Sequence, residues 1–275
     1  MSRDVRLVAV PWDSAIRGWR MGAGPLRLLE SGLEDHLRAR GHAVETRWIE
    51  APAAPPPAEI RTAFQLAASI ADAVREARTS GALPVILAGN CISSIGTLAG
   101  LGAPAPAVIW LDAHADFNTP ETTRSGFLDG MSLAIATGRC WTALSSTLPG
   151  WTPIPDANVC LVGTRDIDPP EADLLRASTA TVLPPDELAA RLSPTLDALR
   201  SRAESVYLHV DLDVLDPREG RANAFAVPGG LLLPQVLELI TEVRRSFRIG
   251  AVALTAYDPA LDPDARIPAA AQTIL

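Results

Sequence analysis

Several things are scarce in this chain, and each scarcity removes a class of protein. No apolar run approaches the roughly 20 residues that cross a bilayer. The N-terminal stretch MSRDVRLVAVPW lacks the apolar core and small-residue cleavage site of a secretory signal. Cysteines are few, at positions 91, 140 and 160, too few for a disulfide framework and wrongly spaced for a zinc motif. A reducing cytoplasm is the simplest compartment for such a chain. Basic excess is missing too: the formal charge is −8. Nucleic-acid phosphates need a basic face, so that partner is excluded, and an anionic membrane surface is disfavoured. A small cationic ligand is compatible with the acidic balance.

What is present is a large apolar fraction, 48% of 275 residues, enough for a sizeable core. Short apolar runs read as strands at 5–10, 83–87, 107–111, 158–162, 205–210 and 249–254. Helical patterns lie between them at 25–40, 58–78, 92–101, 171–176, 194–203 and 234–245, with a last one at 264–275. Pro25 and Pro234 suit a first helical turn, where the missing N–H costs nothing. The alternation predicts an α/β fold with a parallel sheet covered by helices. APAAPPPA at 51–58 runs straight into a helical pattern and reads as a surface loop, so the expectation is one domain over residues 1–275. In such sheets ligands bind beyond the carboxyl ends of the strands.

Two strand ends carry the polar clusters. In WLDAHADFN, Asp112, His114 and Asp116 alternate and would share one face of an extended segment. In HVDLDVLDP, Asp211 and Asp213 do the same, with His209 two positions earlier. If the two strands are neighbours, four aspartates and one histidine converge. Carboxylates so close raise one another's pKa and call for cations. Two divalent ions would balance them, and a carboxylate set with imidazole suits Mn²⁺ better than Mg²⁺. Paired ions can lower the pKa of a shared water. Against this stands the plain alternative of caps and turns after strands, with His114 as a core residue. Two such segments together make that alternative poor.

At these segments the chain resembles the ureohydrolase family of arginases and agmatinases. DAHADFNTPETTRSG (112–126) is similar to the family's metal-and-substrate loop, and DLDVLDP (211–217) to its second metal signature. GAGPLRLLESGL (22–33) and VGTRDIDPPE (162–171) match in the same order. The resemblance implies a three-layer α/β/α fold around a central, mostly parallel eight-stranded sheet. It also implies a two-manganese cluster at the carboxyl edge, where a shared hydroxide attacks a guanidinium carbon and urea leaves. Carried over by motif, Asp112 and Asp211 would bridge both ions, Asp116 would bind the first, and His114 and Asp213 the second. Asn118, Thr123 and Ser125 match positions that hold the α-carboxylate of an amino-acid substrate, and Asp168 the one that receives its α-amino group. A homo-oligomer, usually a trimer or hexamer, is implied as well. The short final helical pattern, where relatives often carry a longer tail, leaves a smaller assembly open.

Three positions break the pattern. In LAGNCISS, Cys91 stands at the family's first-metal histidine. Asp129 in FLDGM replaces the catalytic-loop histidine, and Ala256 in LTAYDP replaces the glutamate that pairs with the guanidinium. Thiolates prefer softer ions than Mn²⁺. Cys91 therefore binds a softer metal, stands aside while water completes the shell, or leaves the first site weak or empty, so one ion instead of two is an alternative. Asp129 is a candidate proton shuttle in place of the histidine, and Asp258 could point the same way. A cysteine nucleophile needs a free imidazole. Only His36, His42, His114 and His209 exist, and none is placed for it: His209 reads as a core or supporting partner. Cys140 and Cys160 read as small buried residues.

A cysteine here with an LDGM-like loop also resembles the arginase-like branch that acts on N-hydroxy-arginine in a biosynthetic setting. The kept amino-acid clamp beside an altered guanidinium end points to a metal-dependent hydrolase of a modified guanidino amino acid. A non-catalytic relative that binds a ligand or partner is the alternative. Cleavage of another C–N bond, in an amidine or amide, is a third reading.

Overall fold

Parallel strands buried on both faces show as unbroken apolar runs, and that signature locates six of the strands in the computed structural model, which describes residues 4–52 and 58–275. In chain order the main sheet contains β1 (Val5–Val10), β2 (Val44–Trp48), β3 (Leu83–Ala88), β4 (Ala107–Leu111), β5 (Val159–Val162), β6 (Thr181–Leu183), β7 (Ser205–Asp211) and β8 (Arg248–Thr255). Their spatial order is β2-β1-β3-β8-β7-β4-β5-β6, and every pairing is parallel. The two strands that the apolar pattern misses, β2 and β6, are the two edges. VETRW in β2 is only half-buried, and β6 is three residues long, so neither carries a continuous apolar signal.

The helices are α1 (Gly24–Glu30), α2 (Leu33–Ala39), α3 (Glu59–Thr79), α4 (Ser93–Leu101), α5 (Ser132–Ala136), α6 (Thr142–Ser145), α7 (Pro169–Arg176), α8 (Leu188–Arg200), α9 (Leu233–Ser246) and α10 (Arg266–Ile274). Helices α3, α4, α5 and α7 cover one face of the sheet, with α6 packed on the outside of α3 to α5, and α1, α2, α8, α9 and α10 cover the other face. This is the expected three-layer arrangement. The helix expected at 25–40 is two, because Gly32 takes φ +88° between α1 and α2. The helix expected from Pro194 starts at Leu188 and carries Pro194 inside it. Of the proline-rich stretch, residues 53–57 lie outside the described residues.

Helix α4 is buried at all nine positions and lies against α3. Gly96 and Gly100 make that approach: a Cβ on Gly96 would stand 2.4 Å from the Ala67 carbonyl oxygen, and one on Gly100 2.6 Å from Val74 Cβ. Register then sets the polar ends side by side. Trp110 of β4 pairs with His209 of β7, and Thr255 of β8 pairs with Asp211. The carboxyl ends of β3, β8, β7 and β4 therefore meet along one edge, in the middle of the sheet.

Candidate active site

Four neighbouring strands deliver the cluster. Asp112 follows β4, Asp211 ends β7, Thr255 ends β8, and Cys91 lies in the turn between β3 and α4. The alternation expected for Asp112, His114 and Asp116 is not an extended strand: β4 ends at Leu111, and Asp116 adopts φ +51°. The three side chains are gathered by a loop that turns. Asp213 likewise sits in a 3-10 turn, Leu212–Val214, whose first N–H groups need acceptors, and Asp211 Oδ1 accepts from Asp213 N at 2.9 Å.

Hydrogen bonds fix these carboxylates. Asp112 accepts from His114 N at 2.7 Å on Oδ1 and from Trp110 Nε1 at 3.1 Å on Oδ2. Asp213 Oδ1 accepts from Ala113 N at 3.2 Å, and its Oδ2 from Asn223 Nδ2 at 3.0 Å. Cys91 Sγ donates to Asp211 Oδ2 at 3.1 Å and lies 3.1 Å from Thr255 Oγ1. His114 Nδ1 lies 3.3 Å from Asp112 Oδ1 and 3.4 Å from Asp213 Oδ2.

The electrostatics follow from burial and like charge. Burial, with the charge of Asp213, pushes Asp112 up to about 6. Burial and neighbouring carboxylates drive Asp116 and Asp211 well above the usual range. The Cys91 thiol is raised well above its ordinary value, by burial first and then by Asp211. Burial opposes a charge on His114, but the bond to Asp112 and the charges of Asp213 and Asp112 outweigh it and carry the imidazole to about 10. The cluster thus draws positive charge toward itself.

Divalent cations fit this donor set. Ligand-capable atoms of Cys91, Asp112 and Asp116 lie within 4.8 Å of one another, as do those of Asp112, His114 and Asp213. Asp112 is common to both groups. Asp116 Oδ2 is buried without a hydrogen-bond partner, an arrangement that costs about 1–3 kcal/mol unless something answers it.

The cluster opens into a cavity of about 270 Å³. Cys91, His114, Asp116, Asn118, Ser125, Asp129, Asp168, Asp211, Asp213 and Ala256 line it. Thr123 does not; its Oγ1 accepts from Gly126 N at 3.1 Å. Asp258 does not either, because its carboxylate accepts from Ala260 N at 3.0 Å and caps the turn Pro259–Leu261. Asp129 is buried and carried up to about 7, chiefly by that burial. His209 is fully buried, stacked on Trp110 with ring centroids 3.6 Å apart.

Sequence reasoning passed over Glu171, Asp166, Asn223, Phe127 and Phe225, which also line the cavity. Glu171 and Asp166 flank Asp168 in the quoted TRDIDPPE segment, so they were findable. Asn223 and the two phenylalanines lie in loops with no local signal. Glu171 accepts from Phe117 N at 2.7 Å and is pushed up to about 7 by burial.

A sequence model of the arginase family matches residues 3–275. The chain belongs to the arginase family. Similar proteins include an N(omega)-hydroxy-L-arginine amidinohydrolase of Streptomyces lavendulae, 34% identical over 224 residues, covering 79% of this chain and 76% of that protein. An arginase of Brucella melitensis biotype 1 is 31% identical over 271 residues, covering 91% and 87%. Among solved structures, arginase from Bacillus subtilis superposes with a TM-score of 0.90 at 26% identity, covering 99% of this arginase-family chain and 96% of that one. Among the described residues, no helix is long and apolar enough to cross a membrane.

Proposed function

We propose that this arginase-family protein is a two-metal hydrolase that cleaves a C–N bond of a modified guanidino amino acid of the N-hydroxy-arginine kind. The products would be a urea-type molecule and an amino acid such as ornithine. The observation that carries the reading is Asp112, shared by two ligand groups at the edge of one polar cavity. Cys91, Asp112, Asp116 and Asp211 would hold one ion, and Asp112, His114, Asp211 and Asp213 the other. Two manganese ions suit this set; a softer metal at the cysteine side, or a single ion, is the variant that Cys91 introduces. Bound there, the ions would supply Lewis acidity and a more acidic water.

The chain's own residues do the rest. Asn118, Thr123 and Ser125 would receive the substrate carboxylate, and Asp168, beside Glu171, its ammonium group. Asn118 and Ser125 line the cavity and Thr123 stands in the same loop. Trp110 and the His114 backbone hold Asp112 in one orientation. Ala256 supplies no carboxylate to pair with a guanidinium, which disfavours plain arginine and leaves room for a substituted nitrogen. The setting we assign is cytoplasmic, and the chain acts as a homo-oligomer.

A panel assay tests this: purified protein, Mn²⁺ and a series of guanidino acids including arginine and N-hydroxy-arginine, read by ornithine and urea-type product. Turnover highest on a substituted guanidine supports the reading. No product from any member sinks it. A second reading, a non-catalytic relative, draws on Cys91 Sγ being hydrogen-bonded into Asp211. Metal content separates the two, since two tightly held ions per chain count against a pseudoenzyme.

A further inference from the structure

Two of the departures from the family pattern meet at one turn. Asp129 Oδ2 accepts from Asn90 Nδ2 at 2.9 Å, and its Oδ1 accepts from Ile92 N at 2.9 Å. Asn90 and Ile92 are the residues on either side of Cys91. One carboxylate therefore grips the turn between β3 and α4 at both flanks of the cysteine. Asn90 is itself held: its Oδ1 accepts from Ser14 N at 3.1 Å, and its Nδ2 also reaches Asp13 Oδ1 at 3.3 Å. Asp13, fully buried, is forked by Arg20 at 3.0 and 3.1 Å. On its other side Cys91 meets Thr255 and Asp211, both at 3.1 Å. Behind Thr255, Oγ1 lies 3.3 Å from His209 Nε2, and His209 Nδ1 lies 2.8 Å from the Tyr207 hydroxyl.

We infer that Asp129 is a positioning residue, a clamp that fixes the 90–92 turn so that the Cys91 sulfur faces Asp211, with no part in moving protons. A shuttle needs a carboxyl free to turn between substrate and solvent. This one spends each oxygen on a donor from the same three-residue turn, and the two bonds together hold it in one orientation. Where the family has two histidines, this chain has a ligand position and its brace. The inference leans on the proposed metal site only for its second readout below.

The first readout needs no metal. Alkylation of Cys91 is followed by peptide mass spectrometry in the native chain and in Asp129→Ala, Asp129→Asn and Asn90→Ala, with Cys140 and Cys160 as internal references. The clamp predicts Cys91 labelled at least about tenfold faster in Asp129→Ala with both references unmoved. Asp129→Asn, whose Oδ1 can still accept from Ile92 N, falls between that and native. Asn90→Ala removes one of the two Asp129 bonds, together with the ties of Asn90 to Ser14 and Asp13, while leaving Asp129 and its bond from Ile92 N in place, so it carries the test if Asp129→Ala does not fold. Native-like protection of Cys91 in both alanine variants overturns the clamp.

The second readout is a Mn²⁺ titration. One ion of the pair weakens roughly 10–100-fold in Asp129→Ala, the range for lost ligand support, and the other is unchanged. Two ions held at native affinity, together with loss of a titrating limb in kcat, would make Asp129 a shuttle and refute the inference. A native chain that binds no metal defeats the functional proposal, yet alkylation still decides the clamp.

Discussion

Asn223 offers the sharpest test of how this site is held. Its side chain is buried and spends every polar atom. Nδ2 donates to Asp213 Oδ2 at 3.0 Å and to the Ala256 carbonyl at 2.9 Å, while Oδ1 accepts from Phe225 N at 2.8 Å. Ala256 needs the tether, because it stands at φ +62°, a region that L-residues rarely adopt. Asn223→Ala leaves the Asp213 carboxylate and the Ala256 carbonyl, both buried, without that donor. Each such acceptor costs about 1–3 kcal/mol, so the variant loses roughly 2–6 kcal/mol, with the lower figure if a water fills the gap. For a chain near this length, about 2–4 °C is lost per kcal/mol, a fall of roughly 4–24 °C in Tm. Thermal and urea unfolding of metal-free protein measure it. A parallel Mn²⁺ titration should show binding weakened by about 10–100-fold, as expected when the group that orients a ligand is removed. A metal-free Tm within about 1 °C of native, with unchanged metal affinity, would refute the reasoning: those bonds would then carry no net energy.

Three other outcomes are expected. Cys91→His restores an imidazole at a position that lines the cavity; Mn²⁺ binding at that site should tighten by about tenfold or more, read by metal content after dialysis, and unaltered retention would count against Cys91 facing a metal. His209, kept neutral by burial with its pKa near 3, takes up a proton on unfolding below its ordinary value of 6.5. Its contribution is therefore complete above that pH and is lost on acidification toward 3, amounting to about 2 kcal/mol between pH 7 and pH 5. Urea titrations of native and His209→Gln at the two pH values should differ by that amount, and equal pH slopes would contradict it. Gly96→Ala should destabilise by about 1–3 kcal/mol through forced separation of α3 and α4, because the added Cβ meets Ala67 O at 2.4 Å; an unchanged Tm would show that the helices can part freely.

The parts of this structure legible from sequence are those where burial is two-sided or chemistry is local. Val5–Val10 and Ala107–Leu111 are apolar throughout or nearly so, and their limits match the expected strands to the residue. Val44–Trp48 has three polar residues between its apolar ends and owes its place to pairing with Val5–Ala9, which no local pattern announces. The acidic residues of the two motifs were visible as a group, and the two strands that deliver them are neighbours, as their convergence required; the shared strand face expected for Asp112 to Asp116 is absent, because a loop gathers them. Asn223 and Phe225 were invisible because their role comes from contacts across the sheet edge. The link between Asp129 and Cys91 was equally hidden, since 38 residues separate the two positions and only the fold sets the flanks of one against the carboxylate of the other.

The strand order carries a consequence for assembly of the molecule in time. Cys91 reaches Asp211 across 120 residues of chain, and Ala113 N reaches Asp213 across 100. No hairpin or local unit of this chain contains the cluster, so nothing resembling it exists until the four central strands have found one another. Non-local pairing of parallel strands is slow because loop-closure entropy is met before contacts reward it. Ion uptake would then be a late event in folding, and ion release an early sign that the middle of the sheet is opening. A metal-sensitive dye in a refolding experiment would time the closure of β3, β8, β7 and β4 directly, with the edge strands silent.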